Sequence, residues 1–121
     1  MKYKIVENSI IFENGIKVVN LTPHPITYII DNDNKIVIPK GQAPYPRLKE
    51  YIDIRKPIGI FRIKCKKYSN IENLPAPQEN VFYIVSGLIA QAARRKDLLI
   101  PNTIRDENGQ IIGCDSFSIV K

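Results

Sequence analysis

The stretch that decides the fold is Asn80 to Lys96, NVFYIVSGLIAQAARRK. Val81 to Val85 is a short apolar run rich in β-branched and aromatic residues, and from Gly87 the pattern changes to Leu88, Ile89 and Ala92 at helical spacing. The change of period predicts a buried strand that turns directly into a helix. Ser86 falls at the N-cap, where its hydroxyl can satisfy one of the orphan amides of the first turn. Gly87, having no Cβ, lets a second group come close to that backbone. A strand-to-helix bend of this kind gathers free amides and a helix dipole and so suits an anion; a core helix with an ordinary serine cap is the alternative.

Upstream, Tyr3 to Phe12, Glu13-Asn14-Gly15 and Ile16 to Val19 read as two strands about an Asn-Gly turn. Ile26 to Ile30 and Lys35 to Ile38 form a second pair around Asp31-Asn32-Asp33-Asn34, residues that tolerate left-handed turns. Between the pairs, Asn20-Leu21-Thr22-Pro23-His24-Pro25 is held extended by its prolines and is a candidate ligand edge. His24 is the only histidine, to be weighed between a hydrogen-bonded structural residue and an acid or base. The Asn20-Leu21-Thr22 sequon carries no meaning without secretion.

Pro39 to Pro57 has four prolines and little periodicity, which predicts a long loop with at most one helical turn near Leu48 to Ile52. Ile58 to Lys67 alternates, with Phe61, Ile63 and Cys65 on one face and Arg62, Lys64 and Lys66 on the other, as in a half-buried strand with a basic outer stripe. Ser69 to Gln78 reads as a loop. After the helix, Arg94-Arg95-Lys96 complements the helix dipole, Leu98 to Ile100 is a short strand ended by Pro101, and Thr103 to Asp106 and Gln110 to Cys114 form a third hairpin about Glu107-Asn108-Gly109. Phe117 to Val120 closes the sheet or covers an edge. The fold class that follows is α+β: a mainly antiparallel sheet built from hairpins with one principal helix, in a single domain over residues 1–121.

The chain's 121 residues are 44% hydrophobic and 25% charged, the balance of a globular protein that needs neither metal nor disulfide to fold. The charged N-terminal residues argue against a signal peptide, and no apolar run approaches a membrane span, so a cytoplasmic protein without membrane contact is expected. Net charge is +6, and Lys40 to Lys67 alone holds nine basic residues against Glu50 and Asp53, leaving the rest of the chain close to neutral. Such a patch attracts phosphates or acidic partners. Cys65 and Cys114 lack any metal-ligand spacing and read as buried free thiols.

The phosphate-binding loop, the dinucleotide fingerprint, the nucleophile elbow and the zinc-protease helix are absent from the sequence, and no carboxylate pair suggests catalysis, so a non-enzyme without cofactor is favoured. A polar set brackets the helix instead: Phe82, Tyr83, Ser86, Arg95, Asp97, Asn102, Arg105 and Asp106. Arginine forks bind phosphate, aromatic faces stack on bases, and Asp or Asn accept from ribose hydroxyls or adenine amines. With Thr22 and His24 these form a candidate nucleotide site.

Asn20-Leu21-Thr22-Pro23-His24, Leu74-Pro75-Ala76-Pro77 and Tyr83-Ile84-Val85-Ser86 recur in a recognisable order with Arg95-Lys96-Asp97-Leu98, Pro101, Arg105-Asp106 and Ile112-Gly113-Cys114. From Val19 to Cys114 the chain resembles a family of small phage and prophage proteins. Its size and residue set are similar to phage anti-defence sponges, in particular the Thoeris anti-defence proteins that sequester cyclic ADP-ribose signals. The resemblance implies a homo-oligomer that holds a cyclic nucleotide without cleaving it, with Phe82 stacked on the adenine and Arg105 on the pyrophosphate. The chain has no tryptophan, so a tryptophan stacking contact is out of its reach.

Three functions stand side by side at this stage. The first is a sponge for a small cyclic nucleotide. The second is a nucleic-acid or acidic-protein binder that uses Lys40 to Lys67 and fails when Arg62, Lys64 and Lys66 become glutamine. The third is a nucleotide-degrading enzyme with His24 as acid or base.

Overall fold

The computed structural model describes residues 2–120, apart from the side chain of Ser69. Ten strands and one helix follow in order: β1 (Tyr3–Val6), β2 (Ser9–Phe12), β3 (Lys17–Asn20), β4 (Ile26–Ile29), β5 (Lys35–Ile38), β6 (Arg47–Ile58), β7 (Phe61–Glu72), β8 (Val81–Ile84), α1 (Gly87–Ala93), β9 (Leu98–Arg105) and β10 (Ile111–Ser118). Eight strands form one sheet in the order β1-β2-β3-β8-β9-β10-β4-β5, while β6 and β7 pair only with each other.

The strand-to-helix bend is where the sequence places it. Ser86 adopts extended geometry at the N-cap and its hydroxyl accepts from Ile89 N. The helix ends sooner than the basic triplet implied: Arg94 is itself the C-cap, in left-handed geometry, and its N–H donates to Ala90 O. The triplet therefore lies beyond the last turn.

With strands over 53% of the chain and, among the described residues, a single seven-residue helix, the protein is mostly β: the principal helix of the α+β expectation is present but short. The sheet is also more mixed than hairpins alone would give. β3 with β8, β8 with β9, and β10 with β4 are parallel. Parallel neighbours need a crossover, and the segment from Val85 to Asp97, carrying α1, is long enough to supply one.

Alternation along β8 sets the two sides of the sheet. Tyr83 and Val85 join Ile89, Ala90 and Leu98 in one buried cluster, while Ile84 joins Ile10, Val18 and Ile38 in the other. Ile38 sits on β5 and Ile10 on β2, near opposite ends of the strand order, so burying them together curls the sheet into a nearly closed barrel.

Several sequence expectations change. Tyr3 to Phe12 is two strands, because Glu7 takes a left-handed φ of 53° that its residue type does not advertise. Pro39 to Pro57 is a loop only as far as Pro46. From Arg47 it becomes a twelve-residue strand paired antiparallel with β7. Because β6 and β7 meet no third strand, most of the ribbon is exposed on both faces, and the stretch 58–67 is half-buried only at Ile63 and Cys65.

Pro101 does not end its strand either. The parallel β8–β9 ladder runs through Tyr83 N to Asp97 O and Val85 N to Leu99 O, and its next donor would be the N–H of residue 101. Proline has none, so the ladder stops there while β9 continues beside β10, with Pro101 opposite Phe117.

Candidate functional site

The Asn20–Pro25 turn is held by Asn20, whose side chain is fully buried. Its Nδ2 donates to His24 O at 2.8 Å and Pro39 O at 3.0 Å, and its Oδ1 accepts from Thr22 N at 3.0 Å. Asn8 Nδ2 donates to Asn20 O from the other side at 2.7 Å. Gly41 completes the clamp: its N–H donates to Thr22 O, and a Cβ there would stand 2.7 Å from Asn20 O. A residue that looked like an idle sequon is thus the internal tie between β3 and the end of β5.

Against this turn lies a cavity of about 480 Å³. It is lined by Thr22, Pro23 and His24 from the turn, Tyr45 and Pro46 from the proline-rich segment, Ser86 and Gly87 from the bend and Thr103 from β9, together with the apolar side chains of Val85, Ile89 and Ile100. A Cβ on Gly87 would meet nothing within 4 Å, so this backbone faces open space. Among the described residues no hydrogen bond engages the His24 imidazole; the clamp uses its backbone alone, the carbonyl accepting from Asn20 Nδ2 and Thr22 Oγ1 and the N–H donating to Thr22 Oγ1. The lining contains hydroxyls, one imidazole and apolar surface, and no carboxylate, lysine or arginine.

Thr22, His24 and Ser86 are therefore brought together, and the rest of the expected set is dispersed. Phe82 and Tyr83 cannot share a pocket, being successive strand residues on opposite faces. Phe82 packs against the Ile84 cluster, and Tyr83 is buried in the other with its hydroxyl directed to Ala76 O. Asn102 spans to β10, donating to Ser116 Oγ and accepting from Ser118 Oγ. Asp106 caps the third hairpin by accepting from Asn108 N and Gln110 N.

The two arginines differ. Arg95 is committed: Nε and Nη2 donate to the two oxygens of Asp97 at 2.9 and 2.6 Å, and Nη1 donates to Pro75 O at 2.8 Å. The Arg95 hydrogen bonds hold the Asp97 carboxyl below the usual carboxylate range against the opposing effect of burial, and Asp97 in turn raises the Arg95 guanidinium. Arg105 is exposed, with one contact of its guanidinium, Nη1 to Gly109 O at 2.6 Å. It lies two residues beyond Thr103 on the same face of β9, at roughly 7 Å along the strand.

Tyr45 and Thr103 line the cavity and were not singled out from sequence. Tyr45 lies inside the proline-rich segment that reads as a loop, and Thr103 reads only as the start of a hairpin strand, Thr103 to Asp106, that Pro101 separates from Leu98 to Ile100; in the structure the two pieces are one strand. A second cavity of about 520 Å³ opens inside the curled sheet, lined by apolar side chains such as Ile10, Ile38 and Leu99 with Tyr28 stacked on Phe117. No cluster able to hold a metal ion occurs among the described residues, and no helix there is long and apolar enough to cross a membrane.

Fold and site together define a mostly-β, barrel-like protein with a ligand-sized cleft beside a capped helix start. Comparison of the chain with protein-family models, curated proteins and solved structures found no match to any.

Proposed function

We propose that this is a binding protein that captures a small phosphorylated nucleotide in the cleft between the Asn20–Pro25 turn and the Ser86 bend and holds it without cleavage. In biological terms this is a phage-encoded anti-defence sponge for a cyclic nucleotide immune signal. The observation that carries it is the convergence of Thr22, His24, Ser86 and Thr103, from three separate segments, on one cavity of about 480 Å³. That volume lies within the roughly 300–1,000 Å³ common for small-molecule sites. The prolines and isoleucines offer flat apolar surface to a base, the hydroxyls suit a ribose, and Arg105, two residues beyond Thr103 on the same face of β9, supplies a fork for a phosphate after a change of rotamer.

The absence of a carboxylate from the lining favours capture over hydrolysis, since His24 has no acid or base beside it in the cavity. Titration calorimetry with cyclic ADP-ribose isomers and cyclic di- and trinucleotides tests this, comparing the natural chain with Arg105→Ala. Binding with at least one of these, weakened about tenfold in the variant, is expected. Chromatography after denaturation should return the ligand intact. Absence of heat with every ligand overturns the proposal, and a consumed ligand replaces it with the enzymatic one.

A further inference from the structure

No residue of the β6–β7 ribbon lines that cleft. Each strand has twelve residues, so the ribbon extends about 40 Å, and only its base is anchored, with Leu48 and Ile71 packed on the Tyr83 cluster. Charge along it is segregated. Near the base, Arg47 pairs with Glu72, Lys66 with Glu50 and Lys67 with Asp53. From Ile54 to Lys64 there is no carboxylate, and among the described residues Arg55, Lys56, Arg62 and Lys64 form no ion pair. The same distal half ends in an apolar tip, with Ile60 93% and Phe61 66% exposed around Gly59, whose φ is 58°.

We propose that this ribbon is an arm that enters a groove of double-stranded DNA, its four distal cations on the phosphates and its Ile60-Phe61 tip against the base steps. A two-stranded ribbon is of a width that the major groove of DNA admits, and apolar side chains wedged between base steps partly unstack a duplex. Unpaired cations held away from every carboxylate select an anionic partner. A second copy of the chain is a poor occupant: two basic arms repel each other, and the rest of the chain is close to neutral. The exposed aromatics Phe61 and Tyr68 of β7 and Tyr51 of β6 add stacking surface along the arm.

The test is fluorescence anisotropy of the full chain with a labelled 20-base-pair duplex, titrated at several salt concentrations. Four phosphate contacts predict a log–log salt slope of about −3.6 and a loss of roughly a hundredfold between 50 and 200 mM salt. The variant R55Q/R62Q/K64Q should reduce the slope to about −1. The variant I60S/F61S should keep the slope, weaken binding and abolish the bend reported by end-to-end energy transfer. Both sets of positions are exposed, and unchanged circular dichroism and melting of the variants keep the result interpretable. The proposal fails if the duplex does not bind at 50 mM salt or if the triple variant binds equally. It also fails if only single strands, an acidic protein or anionic vesicles bind, or if sedimentation shows the arm buried between copies of the chain.

Discussion

Arg95 grips Asp97 through two parallel hydrogen bonds, Nε to Oδ1 at 2.9 Å and Nη2 to Oδ2 at 2.6 Å, just beyond the C-cap of α1. The cleft lies at the opposite end of that helix, beside Ser86 and Gly87. The pair is thus a brace for the chain entering β9. Because its side chains are only 22% and 16% exposed, solvent screens it less than a surface ion pair.

Asp97→Asn should therefore lower stability by about 1.5–3 kcal/mol at pH 7, the range for losing a charge-assisted, partly buried contact. The folded-state carboxyl is held below its unfolded value, so its contribution is present above the ordinary carboxylate range and disappears as pH falls through the folded-state value. Urea unfolding between pH 7 and pH 3 should show the two proteins converging at the acid end. A constant difference across that range would contradict the assignment.

Asn20→Ala should cost about 2–4 kcal/mol, because it strands the Pro39 carbonyl and the Thr22 amide in or beside the core and leaves the His24 carbonyl with Thr22 Oγ1 as its one donor. Asn20→Asp should not rescue it, since a carboxylate has no donor for those carbonyls. Both variants should also lose ligand affinity under conditions where they remain folded, as Thr22 and His24 hang on the same clamp. Denaturant midpoints within error of the natural chain would remove Asn20 from this role.

Gly87→Ala separates stability from binding. No left-handed φ is recorded at Gly87 and a Cβ there meets nothing, so the variant should fold at least as stably, with a gain of up to about 1 kcal/mol from reduced chain entropy. The same methyl would project into the cleft and should weaken ligand capture at least tenfold in calorimetry. Full affinity would place the ligand elsewhere.

The two thiols should react very differently. Cys114 is 2% exposed and burial, aided by Asp115, pushes its thiol up, whereas Cys65 is half-buried on the ribbon. Iodoacetamide at pH 8 followed by mass spectrometry should label Cys65 first, with Cys114 slower by roughly a hundredfold and gated by unfolding. Equal rates would show that the β10 region opens readily.

Local chemistry alone determined the Ser86 cap, the β8-to-α1 switch, and the Gly15 and Gly109 turns, with φ of 89° and 80°, since each depends on residues within a few positions of one another. The uneven charge of residues 40–67 was equally plain. Only tertiary structure decided that Arg47 to Ile58 is a strand, because its weak period and the prolines around it say nothing about the partner at Phe61 to Glu72 that satisfies its backbone. Only tertiary structure, likewise, took Phe82, Tyr83 and Arg95 out of the expected site while bringing Thr22 to Ser86. Which face of a strand is buried, and which carbonyl a guanidinium finds, are settled by contacts between segments far apart in the chain, and those contacts leave no trace in the spacing of a single segment.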